Sequence, residues 1–304
     1  MFEHAAKRLK MKENLSVSGD ERTRFLAQLR SHQSVELPYK YLRKHAEVGT
    51  FTSRNCKTLI LTPHENPSGI GVLYLYGGGF LNPPRMEDYK LAVTLMEETG
   101  CDIYFPLYPL FPDHVMHETV EGVIGALEKM AGVYPRGHTA VLGFSSGASL
   151  CIYTWMYLMH EGMDLPMPER WLLNSPVLHI PTSDSEAEQM RKIDAVDPVL
   201  PSTFFTEEGL CGLMYEREEP RYRYLADPLS YTLSGIPRTD LWYGTHEVLS
   251  VYMNEVIRKE ELEDLPVTIH EGTGLMHCWG LYSASKESRE TRKEYITAIR
   301  ELAV

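Results

Sequence analysis

The stretch Thr139-Ala-Val-Leu-Gly-Phe-Ser-Ser-Gly-Ala148 runs directly into Ser149-Leu-Cys-Ile-Tyr-Thr-Trp-Met-Tyr-Leu158. It opens as a short β-branched strand, turns through Gly-x-Ser-x-Gly (Gly143, Ser145, Gly147) and continues as an apolar helical run. A nucleophile elbow needs that order. Its serine sits on a sharp strand-to-helix turn in a strained backbone conformation, and glycines two positions either side let neighbouring chain approach without Cβ clashes. Taken alone, the pattern fits an ordinary Gly/Ser connection equally well. Its meaning depends on whether the chain supplies a base, an orienting acid and oxyanion donors in a workable order.

Working outward, residues 69–76 read as a buried strand leading into Gly77-Gly78-Gly79-Phe80, and residues 86–99 as an amphipathic helix with Leu91, Leu95 and Met96 on one face. Strands follow at 102–107, 171–178, 239–243 and 267–270, with helices at 117–133, 247–259 and 286–302. Strands alternating with helices at this spacing make repeated βαβ units. The fold class expected is therefore α/β, with a mostly parallel central sheet covered by helices on both faces. Ahead of these units, residues 39–51 and 57–62 alternate as antiparallel strands do, with a turn at 63–68. Residues 1–34 are polar with helical periodicity. Phe25, Leu26 and Leu29 form a stripe there, and Ser18 or Asp20 is placed to cap the helix. Residues 182–225 lack strand periodicity and are rich in Glu, Asp, Pro and Tyr, as expected of a lid or binding subdomain.

With 304 residues, 43% hydrophobic and 24% charged, the chain has the composition of a soluble globular protein of one large or two small domains. The formal net charge of −12 argues against nucleic acid or an anionic membrane surface as partner. No apolar run reaches the length of a membrane span, and the first ten residues lack the apolar core of a signal peptide. The five cysteines (Cys56, Cys101, Cys151, Cys211, Cys278) are scattered without a Cys-x-x-Cys pair, which fits free thiols in a reducing cytoplasm. His114 and His117 have the spacing of two metal ligands on one helical turn, but no cluster completes a site, so neither metal nor organic cofactor is expected.

Active groups of open α/β sheets gather beyond the carboxyl ends of the strands. Four loops of that type each carry one part of an acyl-transfer site. Ser145 follows one strand and the Gly77–Gly79 triplet another, where amides unencumbered by side chains suit an oxyanion. His277 lies in a Gly-rich loop after the last strand and is the favoured general base over His246 and His270. Glu247 follows a strand by a short turn and is the favoured orienting acid. Its rival, Asp240, precedes that strand and belongs at the opposite end of the sheet.

The order Ser145, Glu247, His277 is that of the α/β-hydrolases. Over residues 38–300 the chain resembles the hormone-sensitive-lipase-like carboxylesterases of that superfamily. Tyr76-Gly-Gly-Gly-Phe80 stands for the family's His-Gly-Gly-Gly, and Gly143-Phe-Ser-Ser-Gly-Ala148 for its Gly-Asp-Ser-Ala-Gly-Gly. Asn174-Ser-Pro176, Asp197-Pro198, Asp227-Pro228-Leu229-Ser230, Leu233-Ser-Gly-Ile-Pro237 and Gly244-x-x-Glu247-x-Leu249 also match. The resemblance implies an α/β-hydrolase fold with a helical cap, the catalytic domain being 38–181 and 226–304 and the cap 1–37 and 182–225. It further implies oxyanion donors at Gly78, Gly79 and Ser146. The departures lie at Tyr76 for histidine, Glu247 for the commoner aspartate, Phe144 for an acidic residue, and Val251 where a second acid is common.

The reading is a serine esterase acting on small-molecule carboxylic esters, of short acyl chain because a cap restricts the site, with peptidase or a non-catalytic binding protein as alternatives. Tyr76, Phe80, Phe144 and Tyr215 are the expected substrate-pocket residues. Phe204, Phe205, Tyr215, Tyr222 and Tyr224 either line an apolar pocket or pack the cap onto the body. Cys278 is read as a packing residue whose modification, if reagent reaches it, crowds His277. Edge strands near the C-terminus offer a surface for a homodimer.

Overall fold

The computed structural model describes residues 12–13, 15–17, 19–33 and 36–303. At its centre are three strands with no exposed residue: β3 (Gly71–Leu75), β5 (Thr139–Phe144) and β6 (Arg170–Asn174). Their runs of Val, Leu and Trp are apolar on both faces, as strands must be when helices cover both sides of a sheet. Around them lie β1 (Glu47–Ser53), β2 (Cys56–Thr62), β4 (Asp102–Leu107), β7 (Arg238–His246) and β8 (Val267–Met276). The eight strands run in the order β1-β2-β4-β3-β5-β6-β7-β8. Only the pairings of β1 with β2 and β2 with β4 are antiparallel; the others are parallel.

The helices are α1 (Gly19–His32), α2 (Tyr39–His45), α3 (Met86–Thr99), α4 (Met116–Ala131), α5 (Ser146–His160), α6 (Asp184–Ile193), α7 (Leu210–Arg217), α8 (Met253–Glu263) and α9 (Lys286–Arg300). On the two faces of the sheet, α3 packs with α9 and α4 with α5. Every residue of α5 from Ser146 to Leu158 is buried, the consequence of a helix apolar on all sides. α3 stops at Gly100, whose φ of 69° closes the helix in the left-handed region.

Two expectations change. Residues 39–45 form a helix, not the start of a strand. Tyr39 and Tyr41 meet Arg43 and His45 four residues on, with Arg43 5.0 Å from the Tyr39 ring and the Tyr41 and His45 rings 4.8 Å apart, while Leu42 alone is buried. The strand expected over 171–178 ends at Asn174, because Ser175 turns the chain with φ of 50°. The Phe25-Leu26-Leu29 stripe lies on α1, with Leu29 buried. Ser18, one of the two candidate caps, lies outside the described residues.

Segment 182–226 carries α6, α7 and two 3-10 turns, Ser202–Phe205 and Pro220–Ala226. Asp197 joins it to the body. One carboxylate oxygen accepts from the Val199 and Leu200 amides at 2.7 and 3.0 Å, and the other from the Val248 amide at 2.8 Å. Lys12 adds a tie from the N-terminal side, its Nζ donating to the Asp194 and Asp197 carbonyls.

Candidate active site

Strand β5 delivers Ser145 at φ 53° and ψ −124°, a conformation that costs a non-glycine residue of order 1–3 kcal/mol and persists only where its surroundings hold it. Those surroundings are specific. The Ser145 amide donates to the Asn174 carbonyl at 2.8 Å, and its own carbonyl accepts from the Ser149 amide at 3.0 Å. Asn174 Nδ2 reaches the Gly143 carbonyl, and Asn174 Oδ1 accepts from the Tyr295 hydroxyl of α9. A Cβ on Gly147 would lie 2.2 Å from the Leu75 carbonyl oxygen, so only glycine lets α5 begin against the end of β3.

His277 follows β8, and Glu247 follows β7. Both are buried, Glu247 completely. Glu247 Oε2 lies 2.5 Å from His277 Nδ1, and Oε1 accepts from the Gly244 amide at 2.9 Å. The carboxylate therefore accepts the Nδ1–H hydrogen bond and leaves Nε2 as the basic nitrogen. Nε2 lies 3.6 Å from Cys278 Sγ. Among the described residues Ser145 Oγ and Nε2 share one cavity without a hydrogen bond between them, a common looseness in unliganded sites. Burial disfavours the imidazolium, but the Cys278 sulfur and the Glu247 carboxylate outweigh it and push the His277 pKa well above the ordinary histidine value.

The glycine loop after β3 closes the same cavity. Gly78 has φ of 145°, and a Cβ there would meet the Asn82 carbonyl at 2.5 Å. The Gly78 and Ser146 amides have no acceptor among the described residues. The Gly79 amide differs, donating to Ser146 Oγ at 3.0 Å.

Around these groups the cavity is walled by Val177, Val199, Leu200, Phe204, Phe205 and Leu281, with Leu15 reaching in from the N-terminal segment. Asn82, Arg85 and Asp88 make its polar end. Burial pushes the Asp88 carboxyl up to about 6, against the stabilising bond from the Arg85 amide at 2.8 Å.

Of the four expected pocket aromatics, only Phe144 touches this cavity, and its fully buried ring packs near Tyr74 and Tyr295 in the core. Tyr76 is stacked on Tyr108 with ring centres 4.2 Å apart, beneath the loop and outside the cavity. Phe80 lines a separate cleft with Phe111 and Met116, and Tyr215 another with Arg221 and Arg223. Tyr76 and Phe80 adjoin the glycine loop in sequence, yet their side chains turn away from the cavity, and Tyr215 belongs to the insertion, whose lack of period leaves its direction unread. Phe204 and Phe205, named only as part of an aromatic group, are the ones in the wall.

The rival residues stand elsewhere. His270 Nε2 meets Asp240 Oδ1 at 2.9 Å near the start of β7, where Asp240 also pairs with Arg170. His246 is exposed. His114 and His117 bind different carboxylates, Glu118 and Glu218. Among the described residues no group of three or more His, Cys, Asp or Glu is arranged to hold a metal ion. All five cysteines are buried and free. Among the same residues no helix is long and apolar enough to cross a membrane.

Known proteins share this fold. A family model described as alpha/beta hydrolase fold matches residues 72–281, which contain the elbow, the glycine loop, Glu247 and His277. The chain belongs to the α/β-hydrolase family, within its hormone-sensitive-lipase-like group. An acetyl-hydrolase of Streptomyces hygroscopicus is 23% identical over 215 residues, 70% of this chain and 69% of that protein. A triacylglycerol lipase of Mycobacterium tuberculosis (strain ATCC 25618 / H37Rv) is 22% identical over 161 residues, 53% of this chain, and the match spans 36% of the lipase's length. The crystal structure of an esterase from the bacterial hormone-sensitive lipase family superimposes with a TM-score of 0.75 at 18% identity, covering 99% of this chain and 98% of that one.

Proposed function

We propose that the protein is a serine esterase that cleaves carboxylic esters through an acyl-enzyme. The observation that carries this reading is the Glu247–His277 pair at 2.5 Å in the wall of the cavity that holds Ser145 on its strained turn. Ser145 Oγ attacks the ester carbonyl carbon while His277 Nε2 takes its proton, and Glu247 holds the resulting imidazolium. The carbonyl oxygen becomes an oxyanion facing the Gly78 and Ser146 amides, each such donor contributing roughly 3–4 kcal/mol in comparable enzymes. His277 returns the proton to the departing alkoxide. Water, activated by the same base, then releases the acid and regenerates Ser145. No step calls on a metal or organic cofactor.

Short acyl chains fit best, because Leu15, Phe204 and Phe205 bound the cavity from the cap side. The division into a catalytic domain of 38–181 and 226–304 and a cap of 1–37 and 182–225 rests on that same wall. A cytoplasmic location fits the five free cysteines. A homodimer through β8 fits the place of that strand at one end of the sheet, with one edge unpaired; light scattering that finds only monomer contradicts it.

A fluorophosphonate probe should label the wild type and leave Ser145→Ala unlabelled. The wild type should turn over p-nitrophenyl acetate but no peptide amide. A folded wild type that reacts with neither probe nor ester is a binding protein, and one that cleaves the amide is a peptidase.

A further inference from the structure

The residue after the proposed nucleophile is a serine where the resemblance has alanine, and its hydroxyl is engaged. Ser146 is fully buried, and its Oγ is held within the protein. It accepts the Gly79 amide proton at 3.0 Å. The loop is also held at its other end, where the Tyr108 phenol donates to the Tyr76 carbonyl at 2.6 Å. The two bonds hold the glycine loop at its two ends, Gly79 and Tyr76. The Gly79 amide is thereby aimed down at the elbow helix, while the Gly78 and Ser146 amides have no acceptor among the described residues.

We propose that Ser146 Oγ is a positioning group that holds the third oxyanion donor, Gly79, out of service, so that this enzyme stabilises its oxyanion with two amides and gives up rate for a better-held loop. The inference rests on the esterase reading. It follows from differential binding: an amide already paired in the ground state gains little by turning to the oxyanion, whereas an unpaired one gains the whole bond. The Ser146→Ala substitution keeps the backbone amide and removes only the competing acceptor.

The test compares wild type and Ser146→Ala with p-nitrophenyl acetate, with a trifluoromethyl ketone that forms the tetrahedral adduct, and by thermal melting. The expected result is a kcat higher by roughly two- to tenfold, the value of one hydrogen bond, with KM unchanged. The ketone should bind tighter by the same factor, and the melting temperature should fall by a few degrees because the half-buried Gly79 amide loses its partner. Tyr108→Phe, which removes the bond to the Tyr76 carbonyl but leaves Oγ on Gly79, should not raise kcat. A wild type that turns over while Ser146→Ala has equal or lower kcat overturns this inference alone. A folded wild type that does not turn over the ester overturns the esterase reading and this inference with it.

Discussion

The floor and the roof of the cavity are built on different principles. The floor is backbone. Ser145 is fixed by a main-chain bond to Asn174, by the absence of a Cβ at Gly147 and by the packing of α5, whose residues from Ser146 to Leu158 are all buried. The roof is side chains: Leu15, Val199, Leu200, Phe204 and Phe205 project from short helices and turns, held down mainly by Asp197 and Lys12. A floor of that kind tolerates no change of geometry, and a roof of that kind can alter its shape without altering the chemistry below. Reaction type therefore resides in the floor and substrate choice in the roof.

The largest effect should come from the floor. In Gly147→Ala the new methyl group meets the Leu75 and Tyr76 carbonyl oxygens at 2.2 and 2.4 Å, so β3 and α5 must separate. Activity with p-nitrophenyl acetate should drop at least a hundredfold, since a misplacement of about 1 Å costs that much. A variant within tenfold of wild type would show that the elbow tolerates movement and would break the contrast.

Next in size is Glu247→Gln, which keeps the shape of the acid but removes its charge. A loss in kcat of roughly 10⁴-fold accompanies the equivalent change in a serine protease. The pH profile adds a signed test. His277 acts as base only when neutral, and its pKa is raised, so the acid limb of kcat/KM should lie above the ordinary histidine value near 6.5. Removing the Glu247 charge removes one cause of the rise, and the limb should move to lower pH. The linkage runs the other way for stability. The stabilisation from the protonated His277–Glu247 pair is fully present below the unfolded-state value and is lost as pH climbs through the raised one. An acid limb that stays in place in Glu247→Gln would show that Glu247 does not govern the base.

The smallest effect belongs to the roof. Phe204→Ala should shift the optimum in a series of p-nitrophenyl esters toward longer acyl chains by a few-fold in kcat/KM, leaving acetate turnover nearly unchanged. One methylene in an apolar pocket is worth about 1–3 kcal/mol. An equal loss for every chain length would make Phe204 part of the floor's support instead of a wall.

The same division governs what could be read from the residues. The floor is local in sequence. Strand, Gly-x-Ser-x-Gly turn and apolar helix lie within twenty residues, and the alternation of strands and helices fixes which ends of the strands meet. The mostly parallel sheet follows from that alternation and the hydrolase fold from the order of Ser145, Glu247 and His277 and the resemblance; the strand pairing and the family match bear them out. What supports the floor was less legible. Tyr295, bonded to Asn174 across 121 residues, has no motif, and Asn174 showed only as part of an Asn-Ser-Pro match. Asp197 appeared as one member of an Asp-Pro pair, with nothing to say that it would bond both the cap and the residue after Glu247. The roof was least legible. Residues 182–225 have no period, so their aromatics could be counted but not aimed. Tyr215 and Phe204 looked alike in sequence and lie in different clefts. The helix at 39–45 resists reading for a related reason, since its aromatic and basic residues alternate as a strand's do, yet only Leu42 is buried.

The central claim is that Ser145, on this fixed turn, carries the acyl group. Rapid acid quench of the wild type with p-nitrophenyl acetate, followed by proteolysis and mass spectrometry, tests it directly. The account predicts one added acetyl group on the peptide containing Ser145, formed in a burst and absent from Ser145→Ala. Acetyl transfer to Cys278 or His277 instead, or ester turnover that survives in Ser145→Ala at the wild-type rate, would contradict it.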